Sequence, residues 1–327
     1  MERPSPRSSP SLDPVALRRH RLGNLLQSLT LIAGMALLLA ACGWIVAGWP
    51  GVAVAAGLGA VSFAISGRLS PGLMLRMFRA RPLTRRDLPE VVDAVWILAG
   101  RAGLVPPPRL YYVASPTLNA FSVGQGRQAA IAVTSGLIQA MTLRELIAVL
   151  AHEISHIRHN DICLMGLADV MSRMTRSMSF LGLFLLILNL PFALAGSAQV
   201  PWLLVLLLLL APTLGSLLQL ALSRTREFEA DLGAARLTGD PLGLARALER
   251  LERRQGRFWE DVFLGSRRIP DPSLLRSHPR TEERIRRLLD LRVDAPPFET
   301  RDTAVWPRAS LTPPPHRPRQ RITGLWY

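Results

Sequence analysis

The stretch Ala151-His152-Glu153-Ile154-Ser155-His156 carries an H-E-x-x-H pattern, and most of the chain can be interpreted from it. On a helix, residues i and i+4 are rotated by only about 40° from each other, so both imidazoles project from one face, one turn apart. Two ligands of one zinc ion need this arrangement. Glu153 is one residue further round, where its carboxylate can take a proton from a metal-bound water.

The residues before this motif predict a buried helix rather than a surface helix that carries two histidines by chance. Thr142 and Glu145 have the spacing of a capping box, which marks a helix start. A broad apolar surface follows, made of Leu146, Ile147, Val149, Leu150 and Ile154. Because unpaired histidines are costly in such a place, we interpret His152 and His156 as zinc ligands on a helix over residues 143–159.

Composition indicates a membrane protein. The 327 residues are 49% hydrophobic, with a net charge of +15 and two cysteines, so no disulfide framework is expected. Charged residues are absent from 22–67 and from 177–223. Each block is long enough for two spans of about 20 residues. We place the spans at 25–46, 52–66, 177–194 and 202–222; a buried soluble hairpin is the alternative for the second block.

The distribution of arginine predicts the orientation of these spans. Arginines precede and follow both apolar blocks, whereas the turns inside the blocks carry no charge. By the positive-inside rule, both ends of each hairpin lie on the cytoplasmic side. The basic excess flanks apolar segments, which favours contact with anionic membrane lipids over nucleic acid.

Three short β-like runs, at residues 110–114, 120–123 and 129–133, precede the motif. Residues 124–127 between the last two form a good hairpin turn. Two interpretations stay open: the runs form a small sheet that covers the motif helix, or one strand is an exposed edge that pairs with an extended peptide. The same strand can fulfil both.

A third zinc ligand is predicted directly after the second apolar block. A catalytic zinc normally has three protein ligands and one open position, and Glu227 is the natural third. Asp231 is one helical turn later and can accept a hydrogen bond from the non-ligating nitrogen of a zinc histidine. Glu229 lies off this face and is predicted to be solvated. If the hairpin crosses and returns, the site lies at the cytoplasmic membrane face.

The H-E-I-S-H motif followed by S-R-x-R-E-F-x-A-D at 223–231 resembles the HtpX-type membrane zinc metalloproteases, which are related to the CAAX prenyl endoproteases. The resemblance extends through Asn119-Ala120-Phe121, through 133–137 and through 277–285. It covers roughly residues 88–290. It implies an α+β, mainly helical, gluzincin-like zinc metallopeptidase with about four transmembrane helices and a small β-sheet.

The same resemblance implies roles for individual residues. His152, His156 and Glu227 would hold one Zn2+, with Glu153 as general base and Asp231 behind a ligand histidine. A peptide would bind along Asn119, Ala120 and Phe121. The His-Pro segment would lie near the site, so that His278 or Arg284 helps to stabilise the oxyanion; alternatively, Arg284 makes a structural ion pair. His159 matches no ligand position and is predicted to be an exposed helix-end residue.

These interpretations predict an order of segments along the chain. They are a disordered basic tail (1–21), a transmembrane hairpin (22–67), the first part of a peptidase domain (68–176), a second hairpin (177–223), the second part of the domain (224–291), and a Pro/Arg-rich disordered tail (292–327). Residues 242–258 within the second part are predicted to form an arginine-rich amphipathic helix.

The resulting hypothesis is a zinc endopeptidase of the bacterial inner membrane, with a cytoplasmic active site. The resemblance implies substrates among misfolded or damaged membrane proteins. Three alternatives stay open: a CAAX-type prenyl-protein endopeptidase, an intramembrane protease, and an inactive membrane adaptor of the same fold. An intramembrane protease would need its motif within an apolar span, whereas Arg144 and Glu145 precede His152.

Overall fold

The computed structural model of the chain describes residues 14–66, 71–196, 202–264 and 281–291. Helices predominate around one small sheet. The helices are α1 Pro14–Ser66, α2 Pro71–Met77, α3 Pro89–Ala102, α4 Ser135–Ala140, α5 Leu143–Arg158, α6 Asp161–Leu194, α7 Trp202–Thr238, α8 Pro241–Leu264 and α9 Thr281–Leu289. The strands are β1 Arg81–Pro82, β2 Arg109–Val113, β3 Ala120–Val123 and β4 Ala130–Thr134. The predicted mainly helical α+β class is confirmed.

Among the described helices, α1, α6 and α7 are long and apolar enough to cross a membrane. α1 consists of two arms, because its backbone leaves the helical region at Ala47 and Gly48. A Cβ placed on Gly51 would lie 2.0 Å from the carbonyl oxygen of Gly43. Eight residues of straight helix would separate these positions by about 12 Å, so the chain doubles back here. When the two arms of α1 are counted separately, the described helices contain four apolar segments.

The spans predicted in the second apolar block lie within longer helices. α6 begins at Asp161, as expected for a helical region that starts near residue 160 and continues into the span at 177–194, whereas α7 continues to Thr238, beyond the span predicted at 202–222. Both helices run through their internal prolines, Pro191 and Pro212. α1 begins at Pro14, within the stretch predicted to be disordered. The predicted tails at 1–13 and 292–327 lie outside the described residues.

The sheet has the strand order β1-β2-β4-β3, so β3 lies at an edge. β3 and β4 pair antiparallel, as the predicted hairpin requires, whereas β2 and β4 pair parallel. One face of the sheet joins the main core with α3 and α5. The other face packs against α2, whose Leu75 contacts a cluster that includes Phe121 and Val123.

Helix α5 lies in the main core and begins where the sequence predicts. The side chain of Thr142 accepts a hydrogen bond from the backbone N–H of Glu145, and the Glu145 carboxylate accepts one from the backbone N–H of Thr142 at 2.8 Å. Leu146, Leu150 and Ile154 are fully buried on the core side. The helix that carries the motif is therefore anchored at its start and along one face.

Candidate metal centre

The three predicted ligand residues meet where α5 and α7 pack together. Nε2 of His152 lies 3.0 Å from Nε2 of His156. The Glu227 carboxylate on α7 lies 3.5 Å from the first of these nitrogens and 3.8 Å from the second. One donor atom from each residue lies within 4.8 Å of the other two. The structure thus brings together two neighbouring histidines and a carboxylate 71 positions further along the chain.

Glu227 reaches the histidines because α6 and α7 form a hairpin and α7 then packs closely on α5. The two helices approach each other closely where Gly233 on α7 faces Ser155 on α5. A Cβ added to Gly233 would lie 2.0 Å from Oγ of Ser155, which is fully buried. Ser155 directly precedes His156, so this glycine sets the separation of the two helices beside the ligands.

His152 is held by a carboxylate and an arginine that lie behind it. Its Nδ1 lies 3.0 Å from Oδ1 of Asp231, as predicted for a partner of a zinc histidine. Arg284 on α9 donates to both oxygens of Asp231, at 2.6 and 2.7 Å. Burial alone lowers the pKa of His152, but Asp231 and Glu227 raise it to about 10.

His156 has a similar support that the sequence analysis missed. Its Nδ1 lies 2.7 Å from Oδ2 of Asp161, in the first turn of α6. Arg226, directly before Glu227, contacts the other oxygen of Asp161. The available signal was the acidic residue five positions after His156, at the start of the next helix. It could have been interpreted as a second partner of a zinc histidine.

The arrangement of donors fits a divalent cation. Both Nδ1 atoms lie within 3.0 Å of a carboxylate oxygen, and the two Nε2 atoms face each other at 3.0 Å with the Glu227 carboxylate beside them. When both Nε2 atoms carry lone pairs, a cation between them and the carboxylate would offset their mutual repulsion. Ligands of a tetrahedral zinc ion with bonds of about 2.0–2.1 Å lie about 3.3 Å apart. The measured separations of 3.0, 3.5 and 3.8 Å are close to this value.

Arg284 makes ion pairs, which was the predicted alternative to a role in stabilising the oxyanion. Its Nη1 lies 3.0 Å from Oε2 of Glu227, while Nε and Nη2 bind Asp231. Burial alone lowers the pKa of Arg284, but Asp231, Glu227 and Glu153 raise it above its ordinary value. The guanidinium is thus a buried cation held by two carboxylates of the site. His278 lies outside the described residues.

Two polar residues near the site are more buried than predicted. Glu229, predicted to be solvated, is 5% exposed and accepts a hydrogen bond of 2.7 Å from Nδ2 of Asn24 on α1. His159, predicted to be exposed, follows α5 as its C-cap and keeps only 16% of its side chain exposed. Its Nε2 lies 3.7 Å from Glu229, and burial lowers its pKa. Both predictions were wrong because of tertiary packing: α1 contacts Glu229 through Asn24, and His159 lies against α7 near Gly233 and Glu229.

The predicted peptide-binding residues lie at and next to the edge strand β3. The backbone carbonyl of Asn119 accepts a hydrogen bond from the N–H of Thr134, which fixes the alternation of the β3–β4 ladder. In that alternation the backbone groups of Ala120 and Ser122 point away from β4. The side chain of Phe121 is 8% exposed and packs under α2. Phe121 therefore offers no side chain to a peptide at this edge.

Comparisons with known proteins identify the family of the chain. The family model described as "Peptidase family M48" matches residues 82–292 of the chain. "Protease HtpX homolog" of Acidiphilium cryptum (strain JF-5) is 40% identical over 235 residues, covering 70% of this chain and 79% of that protein. The protein of the same name from Trichormus variabilis is 35% identical over 295 residues, covering 84% of this chain and 99% of its own.

Among solved structures, S. mikatae Ste24p is similar to the chain, with a TM-score of 0.46 and 23% identity over 83% of this chain and 66% of that one. The resemblance inferred from the motifs is confirmed by the family match and by the relatives named HtpX homolog. The chain belongs to peptidase family M48 and is a metalloprotease.

Proposed function

We propose that the protein is a zinc-dependent endopeptidase anchored in the membrane by α1, α6 and α7, with its active site facing the cytoplasm. Its substrates are misfolded or damaged membrane proteins, or loops of such proteins that reach the cytoplasm. The observation that carries this proposal is the meeting of His152, His156 and Glu227 within 4.8 Å, on helices continuous with or adjoining the apolar segments.

Each residue of the centre has its own role in peptide-bond hydrolysis. His152, His156 and Glu227 hold the metal, and Asp231 and Asp161 fix the orientation of the two imidazoles. A zinc ion held there would supply Lewis-acid chemistry, lowering the pKa of a water molecule and polarising the scissile carbonyl. Glu153 would accept a proton from the attacking water and deliver it to the leaving amine.

A substrate chain binds as an additional strand along β3. The outward backbone groups of Ala120 and Ser122 offer donors and acceptors to an extended peptide. β3 contacts α5, the helix of the two histidines, so a peptide added to this edge passes close to the centre. Recognition through main-chain groups is tolerant of sequence, which suits an enzyme that removes damaged proteins of many kinds.

The centre lies beside the apolar zone rather than inside it. Leu220 is the last large apolar side chain on α7 that is exposed, at 40%. Glu227 follows it by seven residues, a rise of about 10 Å. The arginines at both ends of the apolar segments favour the cytoplasmic side for the centre. This location favours a surface protease over the intramembrane alternative.

The Glu153→Gln variant tests the catalytic assignment. We expect it to retain stoichiometric zinc, because the ligands are unchanged, and to lose cleavage of a model substrate such as casein. Glu90→Gln, on the exposed first turn of α3, is the matched control and keeps full activity. Cleavage by Glu153→Gln would refute the proposed base. A wild-type protein that binds no zinc and cleaves nothing would favour the adaptor.

Labelling of single introduced cysteines from either side of the membrane tests the orientation. A cysteine at Arg86 should react with an impermeant reagent only from the cytoplasmic side. Comparing membrane proteomes of cells with wild-type and Glu153→Gln protein then tests the substrate class. Fragments of membrane proteins should accumulate only with the active form; fragments solely of soluble proteins would contradict the proposed substrates.

A further inference from the structure

Helix α2 (Pro71–Met77) is apolar on two opposite sides. Leu75 is 6% exposed and packs against the sheet, whereas Leu73, Met74 and Met77 are 52%, 40% and 74% exposed. At about 100° per residue the three exposed side chains fall within one arc of about 100°, and Leu75 lies on the far side. A surface helix normally turns polar residues outward, so α2 needs a second apolar environment.

The cluster on α2 differs from the other exposed apolar residues of the described chain. Outside α1, α6 and α7, the remaining large ones are dispersed along the sequence: Trp96, Val105, Leu242 and Leu289. Single exposed apolar side chains are ordinary on protein surfaces, but grouped ones mark an interaction site. Three within five residues of a single short helix therefore require a partner.

The chain itself keeps α2 close to the apolar zone. α1 ends at Ser66 and α2 begins at Pro71. Five residues of extended chain reach at most about 18 Å. The second arm of α1, which leads to this connection, exposes Val54, Leu58 and Val61 by more than half of their surface. α2 is thus tethered to the end of a segment whose outer surface is apolar.

The charge around α2 indicates which apolar environment it meets. Residues 71–86 contain five arginines and no acidic residue. Arg76 within α2 and Arg79 directly after it are exposed. A basic, apolar helix beside a membrane segment matches a bilayer surface that carries anionic headgroups.

We propose that α2 is an interfacial helix that lies in the surface of an anionic bilayer. Leu73, Met74 and Met77 enter the boundary between headgroups and acyl chains, and Arg76 and Arg79 contact lipid phosphates. This assignment rests on the proposed membrane embedding of α1 and goes beyond it, because α2 lies outside the apolar segments.

The proposal also places β3, the strand proposed to bind a substrate peptide, near the bilayer surface. The ring of Phe78 lies 5.1 Å from that of Phe121 on β3, and a Cβ on Gly124 would lie 2.7 Å from Cγ of Pro71. α2 and β3 therefore form one packed unit. An α2 seated in headgroups holds the open edge of β3 next to the bilayer, where chains that leave the membrane first become accessible.

Depth-resolved fluorescence quenching tests the proposal. The two native cysteines are replaced (Cys42→Ala, Cys163→Ala), and a polarity-sensitive label is attached through Met77→Cys. Matched labels go on Leu37→Cys, on the first arm of α1 and 72% exposed, and on Val105→Cys, 90% exposed beyond α3. The full-length protein is reconstituted in vesicles of phosphatidylcholine and phosphatidylglycerol with quenchers at shallow or deep acyl positions.

We expect the Met77 label to be quenched mainly by the shallow quencher, because interfacial helices bury their apolar face by about 5–10 Å. The Leu37 label should respond mainly to the deep quencher, and the Val105 label to neither. A Met77 label that behaves like Val105, beside a quenched Leu37 label, overturns the inference about α2 alone. An unquenched Leu37 label overturns the membrane embedding in the proposed function as well.

Two further comparisons identify the partner of α2. Arg76→Gln combined with Arg79→Gln should reduce quenching at Met77 in phosphatidylglycerol vesicles and change little in pure phosphatidylcholine. If the Met77 label moves to an apolar environment only when unfolded casein is added, the outward face binds substrate. That result overturns the lipid assignment.

Discussion

The two proposed ligand histidines are supported by the same two kinds of group, a carboxylate and an arginine, supplied from different distances along the chain. For His156, the carboxylate of Asp161 follows five residues later, and Arg226 comes from α7. For His152, Asp231 comes from α7 and Arg284 from α9. The first support is present once α6 and α7 pair. The second is complete only when α9 has also docked.

The two arginines also differ in what they contact. Arg226 pairs with Asp161, whereas Arg284 contacts Asp231 and the ligand residue Glu227 together. Loss of a carboxylate therefore has different consequences in the two supports. Without Asp161, Arg226 loses its ion-pair partner. Without Asp231, Arg284 keeps its contact with Glu227 and competes with a metal ion for that carboxylate. We therefore expect loss of the first support to affect mainly stability, and loss of the second to affect mainly metal binding.

Asp161→Asn should produce the largest loss of stability. Asp161 is 3% exposed and Arg226 9%, and breaking a buried ion pair by removing one partner costs about 3–5 kcal/mol. Zinc affinity should fall by only about 10-fold, the lower end of the range for such supporting residues. Thermal unfolding in mild detergent and zinc competition measure the two effects.

The matched control for this variant is Asp169→Asn, which removes a more exposed pair with Arg173 on the same helix. It should change stability by at most about 1 kcal/mol. Equal losses in the two aspartate variants would show that burial of the Asp161 pair contributes nothing.

Asp231→Asn should have the larger effect on the metal. We expect zinc affinity to fall by about 100-fold, at the upper end of the range, because Arg284 is left to pair with Glu227 alone. Stability should fall less than in Asp161→Asn, since Arg284 keeps one carboxylate. If Asp231→Asn destabilised the fold more and the metal less than Asp161→Asn, the proposed division between the supports would be wrong.

The Arg284→Lys variant tests whether zinc affinity depends on the positive charge of Arg284 or on the planar shape of its guanidinium group. A lysine keeps the positive charge but has no planar fork to contact Asp231 and Glu227 together. We expect about a 10-fold loss of zinc affinity, measured by competition with a chelating dye. Arg287→Lys, one turn along α9 over the ring of Phe228, is the control and should leave zinc binding unchanged. Wild-type affinity in Arg284→Lys would mean that only the charge matters.

Gly233→Ala should have the smallest effect. The added methyl group meets Ser155 and pushes α7 away from α5. This overpacking costs about 1–3 kcal/mol, partly offset by about 1 kcal/mol from the better helix propensity of alanine. The displacement separates His152 from Asp231, both at this interface, and leaves the His156–Asp161 contact in place. Adding Ser155→Ala should restore part of the lost stability; an unchanged loss would exclude the clash as its cause.

The parts of the site that depend on local patterns could be predicted from sequence. Helical periodicity and a capping box place the two histidines on one face of a buried helix. The need for a third ligand, and the return of an apolar hairpin, indicate Glu227. Each inference uses a regular spacing or a known coordination number, and neither requires knowledge of how distant segments pack.

The missed features depend on tertiary contacts. The burial of Glu229 results from Asn24 and the rest of α1, which lies about 200 positions away in sequence. The ion pairs of Arg284 depend on how α9 docks. The burial of Phe121 depends on α2, a seven-residue helix with no clear periodic signal. Among the site residues that were not predicted, Asp161 alone had a local signal.

Glu227 and the apolar segment of α7 lie on one uninterrupted helix, so the orientation of the apolar segment affects the position of the Glu227 carboxylate. Leu210 lies 17 residues before Glu227, a distance of about 25 Å along the axis. Rotating the helix by about 2° around that point displaces Glu227 by about 0.9 Å, several times the ±0.2 Å within which metal–ligand distances are normally held. A change in the tilt of α7 would thereby change the position of Glu227 relative to His152 and His156.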